Sequence, residues 1–478
     1  MDWITLQGRL ASDPDFPERT ARLLALEAVL DGRQYDSLPF AFSSERSGGG
    51  EYVPLSERRP SVRTGLCRVV VEDAVSLLFS DGHFPMIQAT DPRTVSALSA
   101  LIKECRLNET MLEAATRGSV GSIAILFRTF EGRPFFDVLS SAYLTPEWSA
   151  EDSRRLVRVT ELFKVRGVDL VAQGYAVDPK QRFWFRRVWD EGREVWFEPV
   201  PVGTAELPVK EDAVRSVEHR LGFVPIVWIK NLPGSSLSAP DGACTFAPAI
   251  DTVIETDYLL SQAGRGLKYG SDPTLVLKDG GELGSGGPQR VGGASTALVL
   301  PPEGDAKLLE INGNAAAAVL AHVRELRAIA LEAMHGNRAH GDRVTAAQSG
   351  RALELLCQGL IWLADRLRIS YGEGALLSLL RMVCLASSRS KPGVEIMGES
   401  YASLDPSGLG LRWPDWFAPS FSDRQAQANT LCMLVNAGIL SRETALGSIA
   451  SIYDVENLAE ETDRVVVSRD AQTAGVDE

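Results

Sequence analysis

The 478-residue chain is poor in the side chains that carry metal, redox and nucleophilic chemistry. It has five histidines, none in an HExxH string, and six cysteines with no CxxC pair among them. Cys67, Cys105, Cys244, Cys357, Cys384 and Cys432 are scattered, so reduced, buried thiols are expected rather than a zinc ribbon or a disulfide framework. No GxxxxGK[ST] string is present, which argues against an ATP motor. No GxSxG string or distinctive carboxylate pair occurs either. No catalytic residue, metal or cofactor is therefore expected. Basic residues are also in deficit, with 49 Lys and Arg against 63 Asp and Glu and a formal net charge of −14. That balance argues against a protein that grips nucleic acid by neutralising phosphates. No apolar run approaches the roughly 18 residues of a membrane span, and Met1 is not followed by a basic and then an apolar stretch. The expectation is a protein of the cytoplasm, or of a particle assembled there, with no membrane partner.

Two near-motifs have plainer readings. Gly264, Gly266 and Gly270 approximate a dinucleotide loop, but they follow a helical pattern and the third glycine is one residue too far, so a frayed helix end is expected. His335, His340 and Asp342 sit in a polar stretch without a second ligand cluster and read as solvated turn residues.

A hydrophobic fraction of 45% and a charged fraction of 23% are those of a globular chain, and the length suggests two to four domains. Residues 16–30 read as a surface helix, and residues 37–60 as a Gly-, Ser- and Pro-rich loop. Further helices are expected over 66–79, 93–105 and 109–116. From Gly118 the period shortens to two. Residues 122–130 and 133–139 form a hairpin pattern across Glu131 and Gly132, and strands are expected over 156–165 and 168–177. Residues 183–187 and 195–200 pair across 190–192, giving an α+β region with an antiparallel sheet.

The chain is organised around residues 246–388. A helix of amphipathic spacing over 246–270 ends before Pro273. Two short apolar runs, 274–277 and 296–300, then flank a Gly-rich segment. A second, Ala-rich helix of about 22 residues, roughly 33 Å long, starts near Asn312 and Asn314 and stops at Gly336. After a polar stretch, Thr345 and Gln348 have the offset of a capping box. A helix of about 40 residues, roughly 60 Å long, then runs to Ser388, with Gly359, Gly372 and Gly374 as places to bend. Beyond it, residues 391–421 are irregular, with short strands at 393–397 and 410–413. Ser422 and Asp423 are expected to cap a helix over 424–437, and Ser441 another through Ile449. A third is expected over 453–463, before a polar tail.

The order helix, Gly-rich β insertion, helix, polar loop, long helix resembles the portal proteins of tailed double-stranded DNA bacteriophages. The stretches 219–231, 349–353 and 438–446 resemble segments of that family: the approach to the first stem helix, the entry to the long helix and the start of the C-terminal helices. The resemblance implies an α+β portal fold with an α/β wing (1–245, with a return at 389–421). It adds a two-helix stem (246–270 and 312–335), a small β-containing clip (271–311), a tunnel loop (336–350), a long kinked helix (351–388) and a helical C-terminal crown (422–478). It also implies a ring of about twelve copies at one capsid vertex. Implied partners are double-stranded DNA, the major capsid protein, terminase and a head-tail connector or adaptor. An acidic balance suits a bore through which DNA slides. On this resemblance Asn337, Arg338, His340, Arg343 and Gln348 approach DNA. Arg324, Glu325, Arg327 and Glu332 line the channel or meet adjacent subunits, and Lys278, Asp279, Glu282, Gln289 and Arg290 lie on the docking rim. Another ring-forming connector, or a multi-domain enzyme without a local motif, stays open beside it.

Overall fold

A computed structural model describes residues 1–10, 13–204, 207–234, 236, 239–271, 275–278, 297–300, 313–336, 354–355, 357–390, 393–417, 421–450, 455 and 461–465. Helix α1 spans Trp3–Leu10 and α2 spans Glu18–Leu30, entered through Pro17. Seven of the thirteen residues of α2 are buried, so it is a core helix and not the surface helix expected. The charges on its outer face concealed a wide inner one.

The segment that follows holds β1 (Phe40–Ala41) in parallel against β2 (Arg58–Arg59). Helix α3 (Leu66–Phe79) starts after Gly65, whose φ of 61° belongs to glycine, and buries most of its length. Next come β3 (Met86–Gln88), α4 (Pro92–Glu104) and α5 (Leu107–Gly118). The Asp91 carboxylate caps α4, accepting from the backbone N–H groups of Arg93 and Thr94.

Strands β4 (Ser122–Phe130) and β5 (Arg133–Leu139) are joined by Glu131 and Gly132 at φ 50° and 85°. Two consecutive positive φ angles match the right-handed twist of the strands. There follow β6 (Leu144–Trp148), β7 (Leu156–Arg166), α6 (Gly167–Ala172), β8 (Arg182–Trp189), β9 (Arg193–Trp196), β10 (Val200–Pro201), β11 (Val217–Glu218) and β12 (Ile226–Lys230). They make an antiparallel sheet of order β11-β9-β8-β7-β6, with β10 also on β8, and a second sheet of order β12-β4-β5. The strand expected over 168–177 is instead α6 and the turn behind it. Gly167 N–H donates to Gln181 O, and a Cβ on Gly167 would fall 2.0 Å from Asp178 O. The chain must therefore curl there, and Leu170 is buried with Phe183 and Phe185.

The next elements are α7 (Ile250–Ser271), β13 (Leu275–Lys278), β14 (Ala297–Leu300) and α8 (Gly313–Ala333). β13 and β14 pair in parallel, Leu275 opposite Ala297. The stretch 264–270 is helical and forms the last turns of α7, which runs on to Ser271. The long helical run is α9 (Gln358–Leu367), a π-helical stretch Arg368–Leu376, and α10 (Leu377–Arg389). Its 32 residues extend roughly 48 Å. Its apolar length would suit a membrane span by composition alone, but Leu363, Leu367, Tyr371, Leu376, Leu380 and Val383 are spent in the core.

The π stretch contains two of the three glycines expected to bend this helix. A Cβ on Gly372 would meet Trp413 Cζ2 at 2.3 Å, so the indole takes the place of a side chain. Tyr371 donates its hydroxyl to Asn231 Oδ1 at 3.1 Å, and Arg368 lies over the rings of Trp413 and Trp416. Three neighbours thus hold the wider turn in place.

Strands β15 (Val394–Ile396) and β16 (Glu399–Tyr401) form a hairpin, and β17 (Gly410–Arg412) pairs with β3. That pairing brings the chain back to its N-terminal half. One core, from Leu6 to Leu409, joins α1–α5, the ends of α7 and α8, and α9–α10. Helices α11 (Phe421–Asn436) and α12 (Arg442–Ile449) lie largely outside it. α11 is described from Phe421 onward, and the cap expected at Ser422 and Asp423 falls on side chains outside the described ones. Ser441 caps α12 as expected, accepting from Thr444 N–H at 3.1 Å. All six cysteines are free thiols; Cys432, on α11, is exposed, against the expectation of burial.

Candidate functional site

The α7–α8 pair contains the exposed residues singled out in the sequence, and its two ends differ. Ile250, Val253, Ile254, Asp257, Tyr258 and Ser261 recur at helical spacing on α7, and all are buried. Polar contacts pin this half. Asp257 accepts from Thr64 N–H at 2.8 Å, Thr64 Oγ1 at 2.9 Å and the Tyr35 hydroxyl at 2.9 Å. Burial nevertheless pushes its carboxyl above the usual carboxylate range. Tyr258 donates to Arg58 O at 2.9 Å, and Asp251 accepts from Trp3 N–H at 2.7 Å. Beyond Ser261 the helix leaves the core, and Gln262, Leu267 and Lys268 are exposed.

Helix α8 returns to the core at its far end, where Ala330, Leu331 and Met334 are buried. Gly336 closes against Val70 and Leu331, with no room for a Cβ. At this end the pair is covered by the chain's own α1 and α3. Further out, only Val323 is buried among the described side chains, and Leu320 and Ile329 are exposed.

All four residues assigned to this face, Arg324, Glu325, Arg327 and Glu332, are exposed on α8. At roughly 100° per residue, the two arginines cluster on one flank of the buried seam. The two glutamates lie about 120° further round, nearly opposite that seam. The sign alternation in the sequence is therefore a separation of charge in space. Arg324, Glu325 and Arg327 have no ion-pair partner among the described residues.

The proposed tunnel-loop residues Asn337, Arg338, His340, Arg343 and Gln348 lie outside the described residues, as do Asp279, Glu282, Gln289 and Arg290 of the proposed clip. Lys278 is the last residue of β13. Sequence reasoning missed α1, the Asp257 anchor and the cationic residues beside the outer part of α7. A carboxylate on the apolar face of α7 was the available signal for the anchor.

Among the described residues no group of three or more His, Cys, Asp or Glu is placed to hold a metal ion. No protein-family model matches the chain, and no curated protein matches it.

Proposed function

We propose that this chain is a portal protein of tailed double-stranded DNA bacteriophages. About twelve copies close into a ring at one capsid vertex, each meeting the next through two different faces. The ring is the conduit for packaging and ejecting the genome. It is also the platform on which terminase and the head-tail connector or adaptor dock, with the major capsid protein around it. No bond is made or broken by this chain in that role.

The observation that carries the reading is the α7–α8 pair, embedded at one end and held elsewhere on α8 along a narrow seam. A helix so thinly covered gains burial from a neighbour, and arginines on one flank with glutamates on another suit a neighbour that is a copy of itself. The mixed α and β region fits a wing, the π-interrupted helix a kinked long helix, and α11–α12 a crown. A net charge of −14 suits a wall past which DNA slides. In this arrangement Asn337, Arg338, His340, Arg343 and Gln348 reach the DNA.

Negative-stain electron microscopy of the purified full chain tests the proposal. Rings with a central opening are expected, and Arg324→Glu with Arg327→Glu should disperse them into folded single chains, because both side chains are exposed. A compact monomer at every concentration overturns the reading.

A further inference from the structure

His219 lies between β11 and β12, half-buried against the turn that joins β8 to β9. Both of its ring nitrogens are engaged, and their partners fix their roles. Nε2 faces Asp190 O at 3.2 Å, a carbonyl that can only accept, so Nε2 carries the proton. Nδ1 lies 3.2 Å from Leu221 N, whose N–H can only donate, so Nδ1 offers its lone pair. A neutral imidazole satisfies both partners. An imidazolium does not, because its second proton would point at the Leu221 N–H.

The ring sits where two parts of the molecule are tied together. On one side, His219 N–H and Arg220 N–H donate to Gly192 O at 3.0 and 3.3 Å, and Gly222 N–H donates to Glu191 O at 2.9 Å. On the other, Leu221 is buried in the main core, its carbonyl accepts from Arg389 at the end of α10, and the Arg389 guanidinium lies over Phe223. The strap 219–223 therefore clamps the edge of the six-stranded sheet to the core. Arg220 takes a φ of 54°, which is costly for a residue other than glycine, so the strap keeps its shape only while its contacts hold it.

We propose that His219 is an acid-released latch: neutral, it holds the strap 219–223 against the β8–β9 turn, and protonated, it lets the strap go. Burial lowers the pKa of the ring, against a smaller opposing pull from Asp190. The closed strap thus binds the proton less tightly than an open one does. The latch is complete above the ordinary histidine pKa and is lost as pH falls through the lowered one. Other charges around the ring are already engaged. The Asp190 carboxylate accepts from Gly192 N–H and Arg193 N–H at 2.8 Å each, and Glu191 pairs with Arg155. Arg193 pairs with Glu211 and Arg220 with Glu218, while Arg389 is spent on Leu221 O. Among these residue types only imidazole ordinarily changes charge between about pH 5 and pH 8. The latch stands whether or not the chain forms rings.

Hydrogen exchange of the purified full chain, read by mass spectrometry over residues 217–223 and corrected for the intrinsic effect of pH, tests the latch, with β4 as the reference. From about pH 8 to about pH 5 the protection of the strap is expected to fall roughly three- to tenfold, as for the loss of one hydrogen bond, while β4 holds. His219→Asn cannot take up a proton in that range, and its side-chain oxygen accepts from the N–H two residues on, as Nδ1 does. Its strap should stay protected throughout. A second reading, on the wild type alone, is the NMR titration of the His219 ring, whose midpoint should lie below that of histidine in the unfolded chain. The latch is overturned if the wild-type strap is indifferent to pH, if His219→Asn loses protection in parallel with it, if β4 loses as much as the strap, or if the ring titrates at or above its unfolded value.

Discussion

The inner half of α7 and the whole of α11 are helical stretches in opposite circumstances. On the inner half of α7, Ile250, Val253, Ile254 and Tyr258 fall at helical spacing and are buried in the core. On α11 the apolar residues are consecutive, Leu431 to Val435, so they point in all directions and none of its described side chains is buried. Met433 is 65% exposed, and α11 leans on α12 across an apolar cleft of about 360 Å³ that Leu431, Val435, Leu446 and Ile449 help to line. Helical stability comes mainly from packing of one face. The contrast separates a helix that its own chain completes from one that the described residues leave largely uncovered.

The sharpest way to break that comparison is truncation. Phe246, wholly buried at the entry to α7, should cost about 3–5 kcal/mol when changed to alanine, measured by denaturant unfolding. Met433→Ala in α11 should stay within about 0.5 kcal/mol of the wild type. Equal losses would mean that α11 is as much part of the cooperative unit as α7.

A middle-sized effect comes from Asp257. Its carboxyl pKa is raised by burial, so the folded protein holds the proton more tightly than the unfolded chain does. The resulting penalty is complete at neutral pH and is relieved as pH falls through the raised pKa. Asp257→Asn lacks that component. The difference in unfolding free energy between wild type and variant should therefore move in favour of the wild type on acidification from neutrality. A difference that stays flat with pH would remove the case for a raised carboxyl.

The smallest effect is local. Ser441→Ala removes the N-cap of α12, worth about 1 kcal/mol to a helix. It should speed amide exchange in α12 while the midpoint of global unfolding stays put, because this helix lies largely outside the main core. A shift of that midpoint would join α12 to the rest.

How much was legible in the chain follows the same division. The hairpin of β4 and β5 was readable to the residue, because alternation and the Glu131–Gly132 turn leave one register. Helix α3 was readable for a similar reason: a strong apolar face bounded by glycine and serine. The run 168–177 was not, since its valines suit a strand as well as a helix and only the close approach of Asp178 O to Gly167 decides. Strands β11 and β16 were too short to carry a pattern. On α8 the charged residues were correctly picked as exposed, but which of them flank the seam with α7 and which oppose it depends on where that seam falls.

The sequence by itself determined the local elements: helical period, capping side chains and glycine at turns act within a few residues, so they are written in order along the chain. Only the tertiary structure decided which faces are covered. It turned α2 inward, stacked Trp413 on Gly372 within the π stretch, and gathered Arg59, Arg63, Arg265 and Lys268 around one cavity from positions some two hundred residues apart. Those outcomes rest on contacts between distant segments, and no local pattern carries them.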